Sequence, residues 1–275
     1  MTLPANAPSA RIPAAAHSRE WDGYADEWIA HCPQPFWRAH SDAVNSGLIE
    51  RWLPPGRVDR ILKTDMFDEA VATGLYPVIA GRCTTLFGID VSRRIAAAAG
   101  ERYPRLRSAG ADVRHLPFED CSLDAVVSIS TLDHFATSED IGAALVEIHR
   151  VLKPGGTLVL TLDNLANPVV AVRNSLPYSL THAAGLVPYP VGKTHGPQGA
   201  LRLVETSGLT VVECTAIMHV PRVLAVPFAS FIGKRRSQRL RTTVSKAFLA
   251  FERLRRLPTA FVTGHFVAIR ATRAL

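Results

Sequence analysis

Apolar and polar positions change rhythm several times along this chain, and the changes divide it. Beyond residue 56, short apolar runs alternate with stretches whose apolar residues recur at helical spacing. The runs 59–63 (DRILK), 84–91 (TTLFGIDV), 106–111, 124–130 (DAVVSIS) and 157–162 (TLVLTL) read as strands. Between them, 67–80 is helical or loop-like, and 92–102 is Ala-rich and helical with Ser92 as its N-cap. The stretch 138–152 places Ile141, Leu145, Ile148, Val151 and Leu152 on one helical face, and Pro154-Gly155-Gly156 stops it. Strands alternating with helices predict an α/β fold with a doubly wound, mainly parallel sheet covered on both faces.

The flanks follow other rules. Residues 1–19 are rich in Ala and Pro, lack a continuous apolar run and read as a disordered tail. Residues 20–56 carry Trp21, Tyr24 and Trp28 at helical spacing, then Phe36, Trp37 and Trp52, before Pro54-Pro55-Gly56. They predict an N-terminal helical cap that packs on the core or covers a ligand. The α/β domain then occupies 57–275. Within it, 164–200 is dense in Pro, Gly, Asn and His and reads as a long loop or lid. A helix over 201–207 closes on Gly208, strands are predicted over 209–219 and 263–271, and a helical insertion over 222–258 separates those strands.

Composition sharpens one part of this picture. The 275 residues are 47% apolar and 20% charged, as for a globular chain, with net charge +7. Nine Lys/Arg against the single acid Glu252 fall between residues 234 and 256, so that segment carries +8 and the remainder −1. An apolar stripe of Val244, Ala247, Phe248, Phe251 and Leu254 runs along it. Such a helix can pack its stripe on the domain, lie on an anionic membrane surface or meet an acidic partner. Few aromatics interleave with its cations, which speaks against nucleic acid. No apolar run approaches the roughly 20 residues that span a bilayer. Cys32, Cys83, Cys121 and Cys214 form no C-x-x-C pair, which points away from a metal or redox framework and toward a reducing cytoplasm.

Candidate chemistry collects at predicted strand ends. Gly88-Ile89-Asp90-Val91-Ser92 puts a carboxylate where a strand enters a helix, suited either to a nucleoside's ribose hydroxyls or to capping the helix. Gly110-Ala111-Asp112-Val113-Arg114-His115-Leu116-Pro117-Phe118 puts a second acid after the third strand, suited to an adenine amino group or to a polar loop. The buried fourth strand empties into Ser130-Thr131-Leu132-Asp133-His134, and Arg150-Val151-Leu152-Lys153-Pro154-Gly155-Gly156 precedes the fifth. Together these motifs, over residues 57–163, resemble the class I (Rossmann-like) S-adenosylmethionine-dependent methyltransferases of the small-molecule type. The resemblance implies a Rossmann-like methyltransferase core, S-adenosyl-L-methionine as cofactor and a small-molecule acceptor. It implies cofactor contacts from Asp90, Val91, Asp112, Val113 and Ser130.

One motif departs from the family. Its first strand normally ends in an acid followed by a glycine-rich loop, whereas here Lys63 holds the acid's place and no glycine follows until Gly74. In one reading Lys63 takes the cofactor's carboxylate and Asp65 its ammonium, with Thr64 between them. In the other the loop has lost the cofactor, Asp65 and Asp68 merely start a helix, and the fold serves a non-catalytic or repurposed role. On the acceptor side, His134 is the candidate catalytic base or positioning group, since imidazole titrates near neutrality. His195, His219 and Asp163-Asn164 are further candidates, each with an equally plain structural role in a loop, strand or turn.

Overall fold

The computed structural model of the chain describes residues 14–31, 34–183, 191–233 and 237–275. Helices α1 (Ala14–His31) and α2 (Pro35–Trp52) come first. The core follows as β1 (Val58–Lys63), α3 (Phe67–Val71), α4 (Tyr76–Ala80), β2 (Cys83–Asp90), α5 (Arg93–Arg102), β3 (Arg107–Gly110), β4 (Leu123–Ile129), α6 (Ser138–Val151) and β5 (Leu152–Asp163). Beyond it lie α7 (Pro168–Ser175), α8 (Tyr178–Ala183), α9 (Pro197–Thr206), β6 (Leu209–Ile217), α10 (Arg222–Gly233), α11 (Gln238–Ala250), α12 (Ala260–Thr263) and β7 (Phe266–Arg273).

The seven strands form one sheet in the order β3-β2-β1-β4-β5-β7-β6. The first five are parallel, and β7 lies antiparallel to both β5 and β6. Successive residues of a strand face opposite sides, so Ile61 enters the core beneath α2 and α5 while Leu62 enters the one beneath α6. Both faces are therefore covered, as the unbroken apolar runs of β4 and β5 require. The order reverses between β1 and β4, and the crevice beyond their C-terminal ends is where such sheets hold ligands.

Local chemistry sets the helix starts that matter for the site. Ser92 caps α5, its hydroxyl accepting from the Ile95 N–H at 3.2 Å. Thr137 caps α6 by accepting from the Asp140 N–H, and its own hydroxyl donates to the Asp140 carboxylate at 2.9 Å. Helix α6 buries Ile141, Ala144, Leu145, Ile148 and Val151, as its periodicity predicts.

Several expectations are corrected. Helix α1 begins at Ala14, so residues 14–19, assigned to a disordered tail, are helical; residues 1–13 lie outside the described ones. The lid region 164–200 is not a plain loop: α7, α8 and the start of α9 lie in it, with 184–190 outside the described residues. Asn167 explains α7, since its side-chain oxygen caps the helix while its amide donates to the Thr263 carbonyl at 3.0 Å. Lys153-Pro154-Gly155-Gly156 lies within β5 rather than before it, as an irregular start where Gly155 takes φ +74°. There Lys153 pairs with Asp124 at 2.6 Å, and Asp124 also accepts from the Arg60 N–H, so the motif ties β1, β4 and β5 together at the sheet's N-terminal edge.

Cap and insertion form one covering layer. Trp37, Val44 and Leu48 of α2 share a core with Ala225, Ala229 and Ile232 of α10 and with Val244 and Phe248 of α11. The predicted apolar stripe of the basic segment is thus split: Val244 and Phe248 are buried, whereas Ala247 and Phe251 are exposed. No helix among the described residues is long and apolar enough to cross a membrane.

Gly88 in β2 lets Met66, fully buried, lie directly on the strand; a Cβ there would sit 2.2 Å from the Met66 sulfur. Gly88→Ala is therefore expected to cost about 1–3 kcal/mol in chemical denaturation. Met66→Ala in that background should recover part of the loss, and an unchanged midpoint in Gly88→Ala would show that this contact is not constraining.

Candidate active site

A cavity of about 960 Å³ lies beyond the C-terminal ends of β1 to β5, at the upper end of the size of small-molecule sites. Each strand end contributes to it: Thr64 and Asp65 after β1, Asp90 and Val91 from β2, Asp112 and Val113 after β3, Ser130 and His134 after β4, and Asp163 from β5. The cofactor candidates other than Lys63 thus come together in one cavity.

Lys63 is the exception and a correction. It does not line the cavity. Its ammonium turns inward, 2.8 Å from the Glu69 carboxylate and bonded to the Asp65 carbonyl, with both ion-pair partners almost wholly buried. Burial opposes that charge, but Glu69, Asp65 and Asp68 outweigh it and hold the ammonium above the usual lysine range. Glu69 also accepts from the Leu75 N–H at 2.8 Å. The pair closes the β1–α3 turn that glycines would otherwise make.

Consequences of that turn reach the cavity. Asp65 accepts from the Phe67 N–H at 2.9 Å, starting α3. The Thr64 hydroxyl bonds Ser128 at 3.0 Å and Thr131 at 3.1 Å, joining β1 to the end of β4. The Met66 N–H donates to one oxygen of Asp90 at 3.0 Å, and the Ser92 N–H donates to the other at 2.8 Å. Burial, and then the neighbouring Asp65 carboxylate, push Asp90 up to about 8. Asp112 is held the opposite way. Burial opposes its ionisation, but bidentate hydrogen bonds from Arg114 outweigh that and keep the carboxyl below its usual value. Arg114 in turn pairs with Asp140 at 2.6 Å and lies over the Phe135 ring.

These donor sets suit a nucleoside. Each Asp90 oxygen carries one backbone N–H and keeps acceptor capacity for one hydroxyl of a vicinal diol. The buried carboxylate is short of donors, which two hydroxyls would supply.

The cap closes one side. Trp21 meets His134 edge to face with ring centroids 5.1 Å apart, and Trp28 meets Phe67 at 4.6 Å. The Tyr24 side chain lies outside the described residues. Asp22 accepts from the Ser92 hydroxyl at 2.5 Å, fastening α1 over the end of β2.

Sequence reasoning missed a second polar group. Asp133 accepts from the Ser130 hydroxyl at 2.9 Å and from the Asp163 N–H at 3.1 Å. Burial and the Asp163 charge push it up to about 6. Asp163 pairs with Arg173 of α7 and lies 3.4 Å from His265, and those partners hold it ionised against burial. Burial, with Arg222 and Arg173 nearby, lowers His265 despite the hydrogen bond and charge of Asp163. Arg38 of α2 also lines the cavity, paired with Asp68 at 2.5 Å beneath the Phe67 ring. Of this group, Asp163 was already a candidate at the end of the fifth strand and Asp133 lay inside the Leu132-Asp133-His134 run, whereas Arg38, Arg173 and His265 carried no local signal.

Three further candidates fall outside the cavity lining. His195 bonds the Ser138 hydroxyl at 3.2 Å. His219 is held between Thr263 at 2.8 Å and the Ala216 carbonyl at 3.1 Å. Asn164 donates to the Phe261 and Gly264 carbonyls, which fastens the β5 end to α12. All three are structural.

Comparisons with known proteins bear on the family and the fold. Residues 68–160 match the methyltransferase domain family. A probable S-adenosylmethionine-dependent methyltransferase of Mycolicibacterium smegmatis is 25% identical over 142 residues, 52% of this chain and 50% of that protein. A probable tRNA methyltransferase 9B of Mus musculus is 45% identical over 93 residues, 34% of this chain and 20% of that protein. The chain therefore spans half or less of the length of these curated relatives. The solved structure of the [4+2]-cyclase SpnF superposes with a TM-score of 0.63 at 16% identity, covering 96% of this chain and 98% of that one, a likeness of fold. Fold and strand-end residues define an α/β domain with a ligand-sized cavity at the C-terminal edge of its sheet. More particularly, residues 68–160 carry the match to the methyltransferase domain family, and the relatives and the fold support a class I, Rossmann-like S-adenosylmethionine-dependent methyltransferase.

Lys63→Met, which strands the Glu69 carboxylate, is expected to lower stability by about 3–5 kcal/mol in urea titration. Lys63→Met/Glu69→Leu should lose clearly less. Equal losses in the two variants would remove the ion pair from this account.

Proposed function

We propose that the chain transfers the methyl group of S-adenosylmethionine to a small, apolar acceptor. One observation carries the reading: a single cavity joins the Asp90–Asp112 end to an apolar wall made by Trp21, Trp28, Val169, Val172 and Phe266. Asp90 would hold the ribose hydroxyls and Asp112 the adenine amino group, between Val91 and Val113. Asp65 would meet the ammonium of the methionine part, and Arg38 offers a cation for its carboxylate. When bound, the cofactor supplies an electrophilic methyl carbon on a sulfonium.

The chain's own task is then positioning and proton management. Helices α1, α7 and α10 wall the acceptor from water, and short in-line approach supplies most of the acceleration. His134, set by the Trp21 ring, takes a proton from an acceptor hydroxyl or amine. Asp133, with Ser130 and the Asp163 backbone, shapes the wall beside it. The free thiols of Cys83, Cys121 and Cys214 suit a cytoplasmic setting.

The stretch similar to a tRNA methyltransferase supports a second reading, a nucleic-acid acceptor. Incubation with methyl-labelled S-adenosylmethionine, an extract of small apolar metabolites and tRNA separates the two. The proposal expects S-adenosylhomocysteine and label in the organic phase, with kcat falling about 10²–10⁴-fold in His134→Gln. Label in tRNA, or no S-adenosylhomocysteine with either acceptor pool, would overturn it.

A further inference from the structure

Helix α10 is apolar on all sides, and each side has a different neighbour. Ala225, Ala229 and Ile232 are buried against the α2 layer. Val223, Val226 and Pro227 line the cavity. The third side carries Leu224, Phe228 and Phe231, with Leu224 72% and Phe231 53% exposed. A helix apolar all round is ordinarily enclosed, and this one leaves a face of large side chains in water.

The lid helices repeat the pattern. Val169 and Val172 of α7 and Leu176 just beyond it line the cavity and are also exposed, Val172 by 61%. Leu180 of α8 is 59% exposed. Residues that both line a cavity and face solvent mark its mouth. The mouth is therefore rimmed by apolar side chains from α7 and α10, and Leu180 of α8 and Leu224 and Phe231 of α10 are exposed outside the cavity lining. Scattered exposed apolar residues need no explanation, but a group around one opening marks an interaction surface.

Charge identifies the occupant. Arg222 begins α10, and Lys234-Arg235-Arg236 follow it in the sequence. Arg241 then bonds back to the Gly233 carbonyl at 3.1 Å, keeping a cation at the C-terminal end of α10. Arg239 and Lys246 of α11 and Arg253, Arg255 and Arg256 beyond it are exposed. An exposed apolar face followed in the sequence by a segment of net +8, with Arg239, Lys246, Arg253, Arg255 and Arg256 exposed, matches an anionic bilayer, whose headgroups attract the cations while the acyl boundary takes the apolar side chains.

We infer that the α7–α8–α10 rim docks on an anionic lipid surface, so that the cavity opens toward the bilayer and its acceptor is a membrane-dissolved, lipid-like molecule. The identity of the acceptor rests on the proposed methyl transfer; the docking surface does not. The rim replaces the basic segment alone as the contact: cations draw the protein to the surface, and α7, α8 and α10 enter it.

Co-sedimentation of the full chain with phosphatidylcholine vesicles, with and without about a third phosphatidylglycerol, tests this. Binding is expected to the anionic vesicles and to fall about tenfold in Leu224→Asp/Phe231→Asp. Neither residue lines the cavity, so the variant should bind S-adenosylhomocysteine like the wild type, which also reports its fold. Equal binding of wild type and variant would overturn the rim, as would no binding to anionic vesicles. A wild-type dimer in sedimentation equilibrium that the variant abolishes, without vesicle binding, would assign the face to a second copy instead. Vesicle binding without methyl transfer to any extracted lipid would leave the docking surface standing and remove the acceptor assignment.

Discussion

At the end of β1 the chain must turn sharply beside a ligand cavity without a glycine, and the buried Lys63–Glu69 ion pair is what holds that turn. The side chains sit six residues apart and are almost fully enclosed, so neither charge has water to fall back on. Their contact fixes the backbone between them. Within that short span Asp65 begins α3, Met66 packs on Gly88, and the Met66 N–H reaches Asp90. A glycine loop places bare backbone beside a cofactor. Here the backbone is braced from behind by an ion pair, and side chains of Thr64 and Asp65 face the cavity instead.

Asp90 inherits its condition from this arrangement. Its two backbone donors orient the carboxylate but do not offset its burial beside Asp65, which is why it sits near 8. A diol meeting both oxygens favours the ionised form, so binding there releases a proton. Asp112 differs because Arg114 already neutralises it. The two acids therefore do unlike work: one is poised to change on binding, and the other is a fixed acceptor. Across the cavity, Asp163 with Arg173 and His265 binds the end of β5 to the lid helix α7, so the acceptor side is shaped by residues far apart in sequence.

Much of this was legible beforehand, for physical reasons that can be named. Strand runs and the α6 stripe are local patterns, and Ser92 signals the start of α5 by a capping rule that operates within one turn. Asp90 and Asp112 stand at strand ends, and the parallel sheet brings strand ends together whatever the loops do. Lys63 was placed on the right strand end but assigned the wrong partner. Glu69 looked like part of an acidic helix start, and only the fold of the turn shows it pointing back at the ammonium. His195, His219 and Asn164 were placed near the acceptor by chain position, yet their side chains are held by neighbours outside the cavity. The group at Asp133, Asp163, Arg173 and His265 gave no joint signal, because Asp133 and Arg173 meet Asp163 only through the paired strand ends and α7, and His265 only once β7 pairs with β5. The exposed face of α10 was hidden for another reason: apolar periodicity marks apolar residues, not which of them the fold leaves exposed.

The proposed cofactor site around Asp90 rests on a turn braced by an ion pair and free of glycine. Calorimetric titration of the full chain with S-adenosylhomocysteine, in two buffers of different ionisation enthalpy at pH 7, tests it most directly. The account predicts saturable one-site binding with release of a proton, because Asp90 passes from its protonated form near 8 to a carboxylate under the ribose. No heat of binding at millimolar ligand, or binding without proton release that persists unchanged in Asp90→Ala, would contradict it.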